Sequence, residues 1–208
     1  MFIEQSNFLI RLLWKAIWRI NDGSKTVYLT FDDGPCPKIT PKTLDILDKF
    51  GIKATFFCVG DNVRKYPEIF EEIKRRGHTV GNHTMHHLKG FNTDFQSYLN
   101  DIEEANSYIQ SSLLRPPYGR ITFRQLRELR KKYTIVMWDI ITRDYNPCLP
   151  PKKIFSIIKK YTRKGSIIVF HDSEKSAKNM LEALPKAVEW LQKQGYEFKS
   201  LPTPLPSF

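Results

Sequence analysis

Cysteine is scarce in this 208-residue chain, which carries only Cys36, Cys58 and Cys148. Three thiols cannot build the disulfide framework that staples small secreted domains. Cys58 lies inside the apolar run TFFCV and reads as a core thiol. Cys36 and Cys148 both follow strand-like segments, but a bridge between them is not favoured. Long hydrophobic runs are missing as well. The stretch FLIRLLWKAIWRI at 8–20 is broken by Arg11, Lys15 and Arg19, and it falls short of the ~20 apolar residues that a spanning helix needs. No small-residue cleavage site follows it, so it makes a poor signal peptide. Without a cleavable signal or a span, the chain reads as cytoplasmic or peripherally membrane-associated. There is no dinucleotide glycine fingerprint, internal repeat or low-complexity tract.

What is present describes a globular protein able to bury a core: 41% hydrophobic and 26% charged residues. The formal net charge of +11 favours acidic partners. The cations are scattered, however, and the KRR at 74–76 and LRKKY at 129–133 fall at helix ends, where they suit the dipole. With no accompanying nucleic-acid motif, they read as a solvated basic surface and not as a nucleic-acid interface. At the N-terminus, Arg11, Lys15 and Arg19 recur every four residues and would share one helical face, with Trp14 and Trp18 on the apolar remainder. Residues 1–24 are therefore expected to be an amphipathic helical segment. It is either packed under the main domain or in peripheral membrane contact through residues 8–20. Residues 25–208 are expected to be one domain.

From residue 25 onward, short apolar runs alternate with amphipathic stretches. Strand-like runs occur at 26–31, 54–59, 78–82, 113–116, 134–139, 166–171 and 196–201. Helix-like segments separate them, one opening at Thr40-Pro41, with Thr40 as N-cap and Pro41 at N1, and another closing at Gly77. Alternating β and α elements imply a parallel sheet. The expected fold is α/β, a distorted (β/α) barrel of seven or eight parallel strands.

Five reactive clusters sit at or just past strand ends. They are FDDG at 31–34, GNHTMHH at 81–87, RPPYG at 115–119, WDIITRDY at 138–145 and FHDS at 170–173. In parallel β/α architectures the C-terminal strand ends share one face, and that face carries the active site. Two adjacent aspartates at the end of a strand thus read as catalytic and not as a surface turn. His83 and His87, four apart, can point the same way from one helical turn. With Asp33 they make a three-ligand metal site, for which zinc is the first choice and Co, Ni, Mn or Fe the alternatives. His86 and His78 read as structural. Trp138, Phe31, Tyr118 and Tyr145 are aromatics near the rim, suited to stacking on a sugar or to barrel packing.

TFDDG, HTMHH, RPPYG and a strand ending in FHD, in this order, resemble the NodB-type polysaccharide deacetylases, carbohydrate esterase family four. The resemblance spans residues 26 to about 201. It implies a metal-dependent hydrolase that removes N-acetyl groups from N-acetylglucosamine-containing glycans and releases acetate. By position, Asp32 is then the general base, Asp33, His83 and His87 hold the metal, and Arg115 pairs with the base. The backbone N–H of Tyr118 faces the oxyanion, and His171 protonates the leaving amine. One position departs from the family, which often has an aspartate three residues after the strand-five tryptophan to orient the catalytic histidine. Here it is Ile141. Asp139, on the same strand face by the period of two, is the expected replacement, and Asp144 is the second candidate. Two rival readings are a non-catalytic glycan- or membrane-surface-binding protein on the same fold and an iron oxygenase triad; the paired aspartates and the complete set of base, acid and ligands argue against both.

Overall fold

The computed structural model describes residues 14–203. Its centre is β1 (Thr26–Asp32), a seven-residue strand with every residue buried. Burial on both faces is what the apolar run VYLTF suits, because a parallel strand covered by helices has no solvent side. β2 (Thr55–Cys58), β3 (Thr79–Asn82), β4 (Leu113–Leu114) and β5 (Thr134–Ile135) follow on one side of β1. On the other side lie β7 (Ile167–His171) and β6 (Ile140–Ile141), while β8 (Glu197–Phe198) pairs with the start of β1. Every pairing among them is parallel.

β5 and β6 stand at opposite ends of this order yet are separated by only a few residues of chain. Val136 N–H donates to Leu114 O at 2.9 Å, and Asp139 N–H donates to Ile167 O at 3.0 Å. The run 134–141 therefore leaves β4 and joins β7, and so closes the sheet into a distorted barrel. The helices are α1 (Thr40–Lys49), α2 (Gly60–Lys65), α3 (Pro67–Arg75), α4 (Phe95–Ile109), α5 (Phe123–Leu129), α6 (Pro151–Tyr161) and α7 (Ala177–Lys193). The main core packs Leu44, Leu47, Phe70 and Ile73 of α1 and α3, with Ala183 and Leu184 of α7, on β1, β2 and β7. Phe31 is wholly buried there, stacked on Phe56 and Phe170 at 5.0 and 6.0 Å. It is a packing residue and not a rim aromatic.

One local expectation is corrected. Thr40 is the first helical residue after Ile39 rather than the cap; its hydroxyl donates to Asp172 Oδ2 at 2.6 Å and accepts from Cys36 N–H. All three cysteines are free: Cys58 is buried and Cys148 exposed.

The larger correction is at the N-terminus. Residues 8–13 lie outside the described residues, but 14–20 are not helical. Ile17 bridges Val136 in parallel and Arg19 bridges Ser166 in antiparallel fashion. Ile17 N–H donates to Ile135 O at 2.8 Å and Met137 N–H to Ile17 O at 2.7 Å. Where the strand-five chain swings from β4 to β7, it leaves backbone groups without a strand neighbour, and this segment supplies one. Two unmet strand edges decide against the helical periodicity, because unpaired buried backbone is more costly than a lost amphipathic face is favourable. Ala16, Ile17, Trp18 and Ile20 are buried in the domain. They are therefore not a membrane-facing stripe, and residues 14–24 are not a separate unit from the barrel. No helix among the described residues is long and apolar enough to cross a membrane.

Ile17 is 3% exposed and packs against Tyr28, Val136 and Ile167. Ile17→Ala is expected to lower the unfolding free energy by about 2–4 kcal/mol in urea titration, as for other buried Ile→Ala changes. A change within about 0.5 kcal/mol, typical of surface positions, would contradict the closing role.

Candidate active site

The C-terminal ends of β1, β3, β4, β6 and β7 open onto one cavity of about 680 Å³, lined by Asp32, Asp33, His83, His87, Tyr118, Trp138, Ile141 and His171 among others. Asp32 ends β1. Asp33 follows in the left-handed region, at φ 83°, a conformation that costs a non-glycine residue free energy unless its surroundings enforce it. Asn62 Nδ2 donates to Asp33 O at 2.8 Å. On the other flank, the wholly buried Asp172 accepts from Gly34 N–H at 3.1 Å and from the Thr40 hydroxyl. A Cβ at position 34 would meet Asp172 Oδ2 at 2.2 Å, so only glycine lets this carboxyl reach the turn. Asp172 lies within the FHDS motif, but nothing in the spacing reveals this tie. Burial raises its pKa to about 7, against the opposing hydrogen bond from Thr40.

His83 and His87 share one side, though not by helical geometry. Residues 83–87 form a loop in which Thr84 and His87 are both left-handed, at φ 66° and 55°. Asp101 of α4 fastens that loop, accepting from Met85 N–H at 2.8 Å, from His86 N–H at 3.2 Å and from His86 Nδ1 at 2.6 Å. His86 thus faces away from the triad. His78 Nδ1 accepts from Ala54 N–H at 3.2 Å, and burial pulls its pKa down to about 4. Both residues are structural in their contacts.

His83 Nδ1 lies 2.7 Å from Arg115 O. A carbonyl can only accept, so Nδ1 carries the proton and the lone pair of Nε2 faces the cavity. Burial, with the neighbouring His87 adding to it, lowers the His83 pKa to about 4, which keeps that lone pair available. Nε2 of His83 and His87 lie 3.8 and 3.2 Å from Asp33 Oδ1. Burial would raise the Asp33 carboxyl, but the His87 hydrogen bond and the nearby imidazoles hold it well below the usual carboxylate range. Two imidazole nitrogens and a carboxylate oxygen within 4.8 Å of one another fit a divalent ion of zinc type with positions left open.

Arg115 is wholly buried. Its Nη1 donates to Asp32 Oδ1 at 2.6 Å and to the Thr30 hydroxyl at 2.8 Å, and its Nη2 donates to Met137 O at 3.0 Å. The guanidinium also stands 4.0 Å from the Phe57 ring centroid. Burial lowers its pKa and Asp32 opposes the shift. The next residues turn sharply. Tyr118 is left-handed at φ 59°, with its ring edge-on to His87 at 4.7 Å, and a Cβ on Gly119 would strike the Trp138 ring at 2.8 Å.

The expected partner of His171 is corrected. Asp139 is committed to Arg163, at 2.7 and 3.0 Å, and to the Ser166 hydroxyl at 2.8 Å. It shares the strand face expected of it but sits too low. Its N–H bonds to Ile167 O, at the start of the strand that ends in His171, and at ~3.3 Å per residue this places it roughly 13 Å below the histidine. After β6 the chain turns through Arg143, left-handed at φ 62°, and brings Asp144 level with His171. Asp144 is wholly buried and accepts from His171 Nδ1 at 2.7 Å and from its backbone N–H at 2.8 Å. Burial opposes the imidazolium, but Asp144, aided by Asp33 and Asp32, outweighs it and raises the His171 pKa to about 9.

The chain carrying this rim is similar to known proteins. Residues 19–138 match the polysaccharide deacetylase family model. The chain belongs to the polysaccharide deacetylase family. Among its relatives, it is 33% identical over 190 residues to a peptidoglycan N-acetylglucosamine deacetylase of Bacillus cereus, covering 87% of this chain and 88% of that protein. It is 32% identical over 208 residues to a peptidoglycan N-acetylmuramic acid deacetylase of Bacillus subtilis, covering 95% and 78%. The solved structure of the Bc1960 peptidoglycan N-acetylglucosamine deacetylase superposes with a TM-score of 0.89 at 29% identity, covering 96% of this chain and 97% of that one. The family match stops at Trp138, short of Asp144 and His171, so the arrangement of the second half of the site rests on this chain's own geometry.

His83→Ala or His87→Ala is expected to lower divalent-ion affinity by more than about 100-fold in calorimetric titration, since loss of outer partners alone costs 10–100-fold. His86→Ala should bind as the parent does, because Asp101 keeps its bonds to the loop backbone. Unaltered binding after His83→Ala would remove His83 from the ligand set.

Proposed function

We propose that this protein is a divalent-metal-dependent hydrolase that removes N-acetyl groups from N-acetylglucosamine-containing glycans and releases acetate. The observation that carries this reading is the pair of opposed groups around the triad. Asp32 is fixed by Arg115, and His171, its register partner on β7, is held as an imidazolium by Asp144. Amide hydrolysis needs such a division of labour, one group to accept a proton from water and another to donate one to nitrogen.

Asp33, His83 and His87 hold the ion, with zinc the choice that suits two imidazoles and a carboxylate. When bound, the ion supplies Lewis acidity at the acetamide carbonyl and makes water a better nucleophile at neutral pH. Asp32, held at 2.6 Å by Arg115, cannot rotate away from the triad, and it takes the proton from the attacking water. The turn at Tyr118 directs its backbone N–H to the oxygen on which negative charge develops. His171 keeps its Nδ1 proton on Asp144 and delivers the Nε2 proton to the departing amine, so that acetate and a free amino sugar leave. Trp138, Tyr118 and Tyr145 line the cavity and offer faces on which a pyranose ring stacks.

Acetate release from N-acetylated glycans, neutral chito-oligosaccharides and acidic ones alike, abolished by chelator and restored by Zn²⁺, tests the reading; no release from any of them with any divalent ion would leave a binding protein as the answer. Asp32→Asn should keep the metal and lower kcat by ~10²–10⁴-fold, the usual worth of a general base. Loss of the metal in that variant would mean that the two aspartates exchange roles.

Asp144→Asn has a signed pH consequence. His171 must be protonated to act, and Asp144 raises its pKa to about 9. Removing that charge brings the pKa down, so the alkaline limb of kcat should move to lower pH with metal content unchanged. Asp139→Asn should leave the limb in place and act on stability alone, through Arg163 and Ser166.

A further inference from the structure

Beyond the groups just assigned, the cavity wall carries Lys89, Arg120, Arg143 and Lys175. Hydrolysis of an acetamide, an uncharged group, uses none of them. Three stand near aromatic rings of the same wall. Lys89 Nζ lies 4.6 Å from the Tyr118 centroid, the Arg120 guanidinium 5.8 Å from Phe91, and Lys175 Nζ 5.6 Å from Tyr145. A ring face holds a cation at the wall without neutralising it. Lys89, Arg120 and Lys175 form no ion pair among the described residues. Glu174, the chain neighbour of Lys175, is turned to Lys38 at 3.0 Å. The cavity's own carboxylates are committed, Asp32 to Arg115 and Asp33 to the histidines.

The cations also flank the reacting centre. Tyr118, under Lys89, touches His87, whereas Tyr145, under Lys175, touches His171 at 5.0 Å. A glycan whose acetamide reaches both the triad and His171 therefore lies in a cavity lined by Lys89 near the one and Lys175 near the other. A cleft lined by one sign of charge concentrates ligands of the other sign, and exposed Lys and Arg heads make charge-assisted hydrogen bonds to carboxylate or phosphate oxygens.

We propose that these cations bind anionic substituents on the sugars, so that the substrate is an acidic glycan bearing carboxylate or phosphate groups and not a neutral oligomer of N-acetylglucosamine. This rests on the deacetylase reading above. The experiment compares kcat/KM for acetate release from three tetrasaccharides of matched length. One is neutral, one carries lactyl carboxylates on alternate sugars, and one carries a phosphate monoester. At low salt, at least one acidic substrate should exceed the neutral one by about tenfold or more. The ratio should shrink at 0.3 M NaCl, where the screening length falls to roughly 5–6 Å. It should fall towards one in the K89Q/R120Q/K175Q variant, whose substitutions are all at exposed positions and whose thermal midpoint serves as the folding control. The winning acid identifies the anion. Equal kcat/KM for acidic and neutral substrates, or a ratio that the triple variant leaves unchanged, would overturn the proposal. If no tetrasaccharide releases acetate, the deacetylase reading fails by itself, and calorimetry with the same tetrasaccharides decides the rim separately. Acid-selective binding that the triple variant loses supports the proposal, whereas no binding, or equal binding of the neutral tetrasaccharide, refutes it.

Discussion

One buried guanidinium ties the site together. Arg115 reaches from the end of β4 to Asp32 and Thr30 on β1 and to the carbonyls of Val136 and Met137. Its own carbonyl receives the Nδ1 proton of His83. A single residue thereby fixes the proposed base, sets the tautomer of a proposed metal ligand and joins three strands across the barrel. A cation removed from water is costly unless its donors are satisfied and its charge is matched. Here the fork is occupied by a carboxylate, a hydroxyl and carbonyl oxygens, with the Phe57 ring below. Loss of one partner of such a buried pair typically costs about 3–5 kcal/mol, because the other charge is left behind. The arrangement is thus rigid for the same reason that it is expensive to break.

The remaining machinery shows the same economy of placement. Asp101 anchors the histidine loop from a helix, Asp172 anchors the Asp33 turn from the residue after β7, and Asp144 anchors His171 from the turn after β6. Each of these buried carboxylates has its oxygens taken up by backbone N–H, hydroxyl or imidazole donors, as buried charge requires. Together they hold left-handed backbone at Asp33, Thr84 and His87 that none of those residues would adopt freely. Strain is stored where the ligands must converge, and the surrounding hydrogen bonds offset it. Charge on the cavity wall plays a separate part. The reacting centre is closed upon itself, so Lys89, Arg120 and Lys175 remain available to whatever the cavity receives.

Much of this was legible in the sequence. Alternating runs gave the α/β barrel, because strands buried on both faces must be continuously apolar. Clusters at strand ends gave the rim, because parallel strands all end on one side. Asp32, Asp33, His83, Arg115 and His171 could be named because each lies at a strand end or one residue past it, where topology alone puts it in the cavity, and His87 by its spacing from His83. The His83–His87 spacing named two residues that the structure does bring together, but a loop fastened by Asp101 does so and no helical turn is present.

What the tertiary structure decided is everything that depends on height along a strand or on a missing neighbour. On paper Asp139 is preferred to Asp144, because period two puts it on the strand face of Ile141. Period two reports the face a side chain points to and is silent about its level on the barrel axis, and it was the level that assigned His171 to Asp144. The N-terminal stretch reads as an amphipathic helix, yet residues 14–20 are extended, because the split between β5 and β6 leaves backbone groups that only a strand-like segment can satisfy. Sequence determines local preference and periodicity; which preference prevails is set by hydrogen-bonding and burial demands that arise only when distant segments meet.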